Sequence, residues 1–164
     1  MSPTKLHSNY LEVSITNSNP ILHTARLYSM FHNWNEDKRY DHNILFYEEW
    51  TEEAAELMIK MDSELFSIIE KLPVDRKYLK PVLEYYESHD ARSLKEKLSS
   101  VCSFKGILSP MKKDAKGWKP DFTNRYFTED FGYCLRYIWE LGKKYNVVTP
   151  YIDMVYKWGA ERIN

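Results

Sequence analysis

The sequence predicts an all-α domain of about six helices. Apolar residues recur at three- and four-residue spacing along most of the 164 positions, which is the period of a helix with one buried face. Capping residues and prolines divide this pattern into segments of ordinary helical length. Only the stretch 10–15, "YLEVSI", shows even a faint strand pattern. The length suits a single domain, 1–164, without linkers or repeats.

The first two helices have clear start signals. Asn19-Pro20 opens "ILHTARLYSMF", because proline is well suited to the first turn of a helix. The stretch 51–72 is the most regular, with Thr51 as the cap, two glutamates at the positive end of the helix dipole, and Pro73 as the stop.

The middle of the chain is predicted as helices followed by a loop. A helix over 74–90 is expected to be capped by Asp75, with Pro81 bending or restarting it. A short helix covers 93–101. Two glycines and two prolines then predict a loop over 102–123.

Two more helices are expected near the end of the sequence. Thr128 is the predicted cap of a helix over 129–145. Thr149-Pro150 repeats the cap-and-proline pattern and predicts the last helix, which begins "YIDMVYKW".

Charge and cysteine content narrow the class of protein. The net charge is −1, from 23 basic and 24 acidic residues, so neither nucleic acid nor an acidic membrane surface is an expected partner. Cys102 and Cys134 are the only cysteines, which favours a reducing, cytoplasmic setting. The N-terminal stretch has no apolar signal region, and no run approaches membrane-spanning length.

The usual motifs for cofactors, metals and nucleophiles are missing from the sequence. It contains neither GxGxxG nor GxxxxGK[ST], the loops that bind phosphates in nucleotide-binding proteins. Four of the five histidines have no metal-ligand spacing with one another or with the cysteines, so we expect no metal site. They are His7, His32, His42 and His89.

His23 and Asp130 are candidates with competing explanations. His23 lies three residues after Pro20, where the positive helix end favours a neutral imidazole unless a carboxylate compensates. Alone, it is more often a surface or satisfied core residue. Asp130 follows Thr128 at a helix start, where Glu129 and Asp130 together add less than about 1 kcal/mol of stability without any catalytic role.

Arg125 and Trp118 are the other candidates. The Arg125 guanidinium is suited to holding a substrate carboxylate through two hydrogen bonds. An equally good explanation from the sequence is that Arg125 forms an ion pair with Glu129 or Asp121 and has no other role. Trp118 stands in the Gly/Pro-rich segment ahead of Arg125 and is the one tryptophan that we place at a site wall; the others are expected in the core or on half-buried helix faces.

Three ordered segments resemble the octopine/nopaline (opine) dehydrogenase family. "NSNPILHTARL" (17–27) is similar to its Asn-Pro-x-x-His motif. "FKGILSPMKKDAKGWKPDFTNRYFTEDFGYCL" (104–135) is similar to a second signature that leads into RYFTED. "LGKKYNVVTPYIDMVYKW" (141–158) resembles the closing segment, in which Thr-Pro starts the last helix.

The resemblance implies a fold, a reaction and a set of site residues. The fold is the compact helical domain that follows a Rossmann domain in opine dehydrogenases, like the C-terminal domain of 6-phosphogluconate dehydrogenase. The reaction is the NAD(P)H-dependent reductive condensation of an amino acid with a 2-keto acid, commonly pyruvate. His23 and Asp130 take the catalytic positions, Arg125 binds substrate, and Asn19 places substrate or orders the helix that carries the histidine.

The resemblance also implies that function needs a second domain. This chain lacks the Rossmann domain, so we expect NAD or NADP in the complete enzyme only, and none bound by this chain alone. The missing domain is expected in cis or in trans, and the chain is predicted to be inactive without it. The unusual stretch 32–50 is expected to affect the choice of substrate.

A non-enzymatic function is the alternative hypothesis. The sequence holds 13 tyrosines and 5 tryptophans, which also suit a helical module that binds a protein partner or forms a homodimer through its aromatic surface.

Overall fold

The computed structural model describes Leu11, Ile15 and residues 18–163. These residues fold mainly into helices, and they also include one short β-hairpin. The helices are α1 (Asn19–Phe31), α2 (Glu52–Ile69), α3 (Val82–Tyr85), α4 (Ala91–Ser100), α5 (Arg125–Thr128), α6 (Arg136–Lys144) and α7 (Pro150–Ile163). A π-helical turn, Asp130–Leu135, joins α5 to α6. The predominance of helix among the described residues confirms the predicted class.

Helix α2 is the centre of the core and packs against α1, α4, α6 and α7. Its buried face has the predicted three- and four-residue spacing, with Met58, Met61 and Ile68 fully buried. The Thr51 hydroxyl accepts the N–H of Ala54, which confirms the predicted cap. The helix ends at Ile69, slightly before the predicted end at residue 72.

Two buried acids of α2 bind the starts of other helices. The Glu64 carboxylate accepts the N–H groups of Tyr151 (2.9 Å) and Ile152 (2.8 Å) in the first turn of α7. Asp62 accepts the N–H of Val82 at 2.9 Å, at the start of α3. Since these first-turn donors have no partner within their own helix, α2 determines where α3 and α7 begin.

The predicted helix over 74–90 is wrong for most of its length. Only Val82–Tyr85 is helical. Proline disfavours helical backbone in the residue before it, and Pro81 therefore delays the helix to its own C-terminal side. Asp75 instead accepts the N–H of Lys77 in an isolated turn. Helix α4 begins at Ala91, earlier than predicted, because Asp90 caps it.

The segment 102–123 contains more than the predicted loop. A 3₁₀ turn covers Cys102–Phe104, and strands β1 (Met111–Asp114) and β2 (Gly117–Pro120) form an antiparallel hairpin. Lys112 pairs with Lys119 and Lys113 with Trp118. The lysines in β1 hide the apolar alternation by which a strand is usually found in a sequence.

The helix cap predicted at Thr128 is also wrong. Asn124 is the cap, since its side-chain oxygen accepts the N–H of Tyr126 at 3.1 Å. The predicted start of the last helix is confirmed at Pro150. Of the faint strand 10–15, the structure describes Leu11 and Ile15, both helical, and the other positions lie outside the described residues. No helix in the described part is long and apolar enough to cross a bilayer.

Candidate active site

Helix α1 carries His23 at the edge of its buried face. The Ser18 carbonyl accepts the first N–H bonds of the helix, from Ile21 and Leu22, and α1 therefore begins at Asn19. His23 is the fifth helical residue and lies in the second turn, rather than the first turn that the sequence indicated. Its neighbour Leu22 is buried, while the His23 side chain is 12% exposed.

The π-helical turn brings Asp130 to the site. The Glu129 carbonyl accepts N–H groups from both Tyr133 and Cys134, and this double acceptance widens the helix by one residue. Phe131, which follows Asp130 in the π-helical turn, is fully buried against α7. At Gly159, a Cβ would lie 1.9 Å from the Phe131 ring, so the absence of a side chain there lets the π-helical turn approach α7.

His23 and Asp130 form a hydrogen-bonded pair, although 107 residues separate them. The distance from His23 Nδ1 to Asp130 Oδ2 is 2.9 Å, and the Asp130 side chain is 16% exposed. An ionised carboxylate only accepts hydrogen bonds, so Nδ1 carries a proton. In the neutral imidazole, Nε2 therefore has the lone pair.

Aromatic side chains enclose the imidazole on its inner side. The ring centroids of Tyr126 and Phe46 lie 4.8 and 5.5 Å from that of His23. The Tyr47 hydroxyl is 3.3 Å from His23 Nε2. Burial, and then the charge of Asp130, raise the pKa of Tyr126, so this phenol is neutral at physiological pH.

The pair opens onto a polar concavity of about 290 Å³ that is continuous with solvent. It brings together four of the five residues that the sequence analysis proposed. The residues lining it are Asn19, His23, Arg125, Tyr126, Glu129 and Asp130. Charged and hydrogen-bonding groups therefore surround one imidazole, as proton transfer to a small polar ligand requires.

Arg125 is the candidate for binding an anionic ligand at the concavity. Its side chain is 78% exposed, and its Nε lies 3.7 Å from Glu129 Oε2. An exposed pair of this length contributes little to stability. Asp121, the other predicted partner, instead contacts Lys112 at 3.1 Å. The guanidinium is thus accessible to an anionic ligand.

Trp118 lies away from this concavity. It belongs to β2, where its N–H and carbonyl pair with the backbone of Tyr40 at 2.9 Å. It is not among the described residues that line the concavity around His23. The aromatic residue that lines the concavity is Tyr126 instead.

Tyr47 is the contact that sequence reasoning missed. It lies in the non-helical stretch between α1 and α2, which has no periodicity that would predict its position. The buried Arg26 fixes this stretch, since its guanidinium donates to the carbonyls of Phe46 (3.0 Å) and Glu49 (2.8 Å). Burial lowers the pKa of Arg26 to about 10, and the side chain stays charged at neutral pH.

A family model describes this architecture and nearly the whole sequence. Residues 6–163 match the NAD/NADP octopine/nopaline dehydrogenase, alpha-helical domain. The chain belongs to this family. The octopine/nopaline dehydrogenase domain assigned to 6–163 includes all four residues that meet at the concavity, together with Tyr47.

Characterised relatives of this octopine/nopaline dehydrogenase domain are longer proteins. The tauropine dehydrogenase of Arabella iricolor is 30% identical over 163 residues, which cover 92% of this chain and 41% of the relative. The octopine dehydrogenase of Pecten maximus is 26% identical, with 97% and 42% covered. The chain thus spans about two fifths of the length of these relatives.

A solved octopine dehydrogenase shares the fold of this octopine/nopaline dehydrogenase domain. The structure with NADH and pyruvate superposes with a TM-score of 0.82 at 25% identity, and covers 98% of this chain and 40% of that protein. The likeness therefore extends over the whole helical domain.

Proposed function

We propose that this chain is the substrate-binding and catalytic half of an opine-type dehydrogenase. The reaction would be the NAD(P)H-dependent reductive condensation of an amino acid with a 2-keto acid such as pyruvate. The observation that carries the proposal is the 2.9 Å contact between His23 Nδ1 and Asp130 Oδ2 at an open polar concavity. Family membership and the names of the relatives, tauropine and octopine dehydrogenase, support the reaction class.

The proposed reaction requires a proton donor that can be recharged. The amine adds to the keto carbon and water leaves, which gives an imine. When hydride reaches the imine carbon, the nitrogen takes up the C=N electron pair and needs a proton to become the secondary amine. A positioned histidine is suited to deliver such protons near neutral pH.

His23 and Asp130 have complementary roles in this proposal. Asp130 accepts the Nδ1 proton, orients the ring and stabilises the imidazolium form. His23 then presents Nε2 as the atom that gives a proton to the substrate heteroatom. Because both side chains are largely buried, their attraction is screened less than that of an exposed pair.

Arg125 and Asn19 are the proposed substrate-binding residues. Arg125 would exchange its weak contact with Glu129 for the keto-acid carboxylate, which its planar guanidinium can bind through two parallel hydrogen bonds. Asn19 lines the same concavity one turn before His23. Together they would orient two small molecules for condensation, which lowers the entropic barrier of the reaction.

The nicotinamide cofactor requires residues that this chain does not provide. The sequence has no glycine-rich dinucleotide loop, and we propose a Rossmann domain, in cis or in trans, as the site that holds NAD or NADP. When bound there, the cofactor supplies the hydride. The residues of this chain bind the substrate and move the proton.

Reconstitution with a nucleotide-binding domain tests the proposed function. NAD(P)H oxidation that depends on both an amino acid and a 2-keto acid is expected, and His23→Gln should lower kcat by about 100-fold or more, the usual contribution of a general acid. His32→Gln is the matched control, since His32 follows α1 directly, is exposed, and bonds the Tyr28 carbonyl and stacks on the Tyr28 ring. A His23→Gln enzyme as fast as the control would refute the assignment.

The alternative, a free-standing interaction module, draws less support. It was motivated by aromatic content, yet all five tryptophans are buried or half-buried in the structure. The most exposed aromatic residue described is Tyr133, at 75%. Aromatic side chains therefore mainly fill the core, and a homodimer stays a prediction without a surface assigned to it.

A further inference from the structure

We propose that Tyr47 is a positioning residue for His23: its hydroxyl binds Nε2 and holds the imidazole against Asp130. The geometry points to this role because the two ring nitrogens face different partners. Nδ1 meets Asp130 Oδ2 at 2.9 Å, and Nε2 meets Tyr47 Oη at 3.3 Å. Hydrogen bonds at both nitrogens fix the angle of the ring as well as its place.

The phenol hydroxyl is suited to both charge states of the imidazole. It can donate to the Nε2 lone pair of the neutral ring, and it can accept from Nε2–H of the imidazolium after rotating about its C–O bond. Burial, followed by the nearby Tyr126, Tyr86 and Asp130, raises the pKa of Tyr47 above its usual range. The hydroxyl therefore keeps its proton and orients the ring without acting as the acid.

The Tyr47 ring is held by aromatic and backbone contacts from separate parts of the chain. Its centroid lies 4.1 Å from that of Phe104 and 6.0 Å from that of Trp50, with both pairs nearly parallel. The Tyr47 carbonyl accepts the Ser99 hydroxyl at 3.1 Å. The residue as a whole is only 6% exposed, so its hydroxyl has a defined position.

Arg26 links the segment that contains Tyr47 to the helix that carries His23. Arg26 lies one turn after His23 on α1, and its guanidinium donates to the carbonyls of Phe46 and Glu49, on either side of Tyr47. The same charge lies 5.4 Å from the centroid of the Trp50 ring, a favourable cation–π distance. Helix α1 thus holds both ends of the Tyr47–His23 contact.

The contact is long enough for Nε2 to be shared with substrate. At 3.3 Å it exceeds the ordinary range for a hydrogen bond to a hydroxyl, so it is weaker than the bond to Asp130. A heteroatom of a bound substrate can therefore share Nε2 with the Tyr47 hydroxyl. Tyr47 would thus keep the ring aligned while the substrate is bound.

The hydrogen bond can be tested on the 164-residue chain without any catalytic assay. Two-bond ¹⁵N–¹H spectra of the labelled imidazole should show neutral His23 protonated at Nδ1. Tyr47→Phe should move the Nε2 signal and leave that of Nδ1 in place. Tyr40→Phe is the matched control, since it removes a phenol hydroxyl from the same stretch that bonds the Met30 carbonyl at 3.0 Å. This control should change neither signal.

The positioning role needs a kinetic measurement, and this part rests on the proposed function. In the reconstituted enzyme, Tyr47→Phe should lower kcat about 3- to 10-fold, the effect of losing one neutral hydrogen bond. The KM for the keto acid should stay close to that of the parent and of Tyr40→Phe, because Tyr47 does not line the concavity among the described residues.

Separate outcomes would overturn the two proposals. An Nε2 signal that Tyr47→Phe leaves unchanged, or a neutral His23 protonated at Nε2, would contradict the role of Tyr47. The tautomer is read from the unmodified chain and so decides even if the variant fails to fold. An unchanged kcat would contradict positioning as well. An inactive reconstituted parent would instead count against the dehydrogenase function, and the imidazole signals would still test Tyr47.

Discussion

At the scale of single residues, buried polar groups make hydrogen bonds that sequence spacing could not predict. His23, Asp130 and Arg125 were proposed from motif resemblance, because no spacing rule connects positions 107 residues apart. The environments of His23, in a second helical turn, and of Asp130, in a π-helical turn, are visible only in the structure. Asp62 and Glu64 were assigned to the helix without a role, yet both are buried acceptors of backbone N–H groups.

Asp62 predicts a specific dependence of stability on pH. Burial raises its pKa to about 6, against a partly compensating bond from the Val82 N–H. The folded state thus binds this proton more tightly than the unfolded state does. The stabilisation from Asp62 is complete below the unfolded pKa near 4 and is lost as pH rises through about 6.

Asp62→Asn should remove this dependence and still accept the Val82 N–H through its amide oxygen. Between pH 4 and 7, the free energy of unfolding of the parent should fall relative to Asp62→Asn by on the order of 2 to 3 kcal/mol. Urea unfolding at a series of pH values measures the difference. Asp75→Asn, an exposed turn residue, is the control, and parallel curves for the parent and Asp62→Asn would contradict the assignment.

At the scale of elements, periodicity predicts long helices well and short irregular elements poorly. Helix α2 was predicted from its buried face and cap, and both are confirmed. The β1–β2 hairpin was missed because two consecutive lysines, Lys112 and Lys113, interrupt the apolar alternation of β1. The π-helical turn was missed because a one-residue widening arises from packing, here of Phe131 against Gly159, and leaves the apolar spacing nearly unchanged.

Gly159 is predicted to be essential for the π-helical turn. In Gly159→Ala, the new Cβ would meet three carbons of the Phe131 ring within 1.9 to 2.5 Å, so the ring and the adjoining Asp130 must shift. Overpacking of this kind costs about 1 to 3 kcal/mol of unfolding free energy. Denaturant unfolding measures that loss, and the imidazole spectra of His23 should change as well.

Gly132→Ala provides the matched control at the same contact between the π-helical turn and α7. A Cβ there would lie 3.5 Å from Ile163, an ordinary contact, and alanine favours helical backbone over glycine. Its stability should equal or exceed that of the parent. If Gly159→Ala is as stable as Gly132→Ala, with unchanged His23 signals, the packing account of the π-helical turn is wrong.

At the scale of the whole molecule, one helical core brings distant sequence segments to a single concavity. The π-helical turn packs on both α1 and α7, and this contact sets Asp130 beside His23. The all-α class followed from the sequence alone, whereas the site depended on resemblance and on tertiary packing. Neither the sequence pattern nor the resemblance predicted Tyr47, because its position depends on the buried Arg26 and on aromatic stacking around a non-helical segment.

The central claim is that His23 and Asp130 act as one catalytic unit. A double-mutant cycle with His23→Gln and Asp130→Asn in the reconstituted enzyme measures this most directly, from the rate of keto-acid-dependent NAD(P)H oxidation. If Asp130 acts through His23, each single variant should lose most of the rate, and the double variant should be little slower than His23→Gln, as expected for residues that act together. Losses that multiply in the double variant, or an Asp130→Asn enzyme as fast as the parent, would contradict the claim.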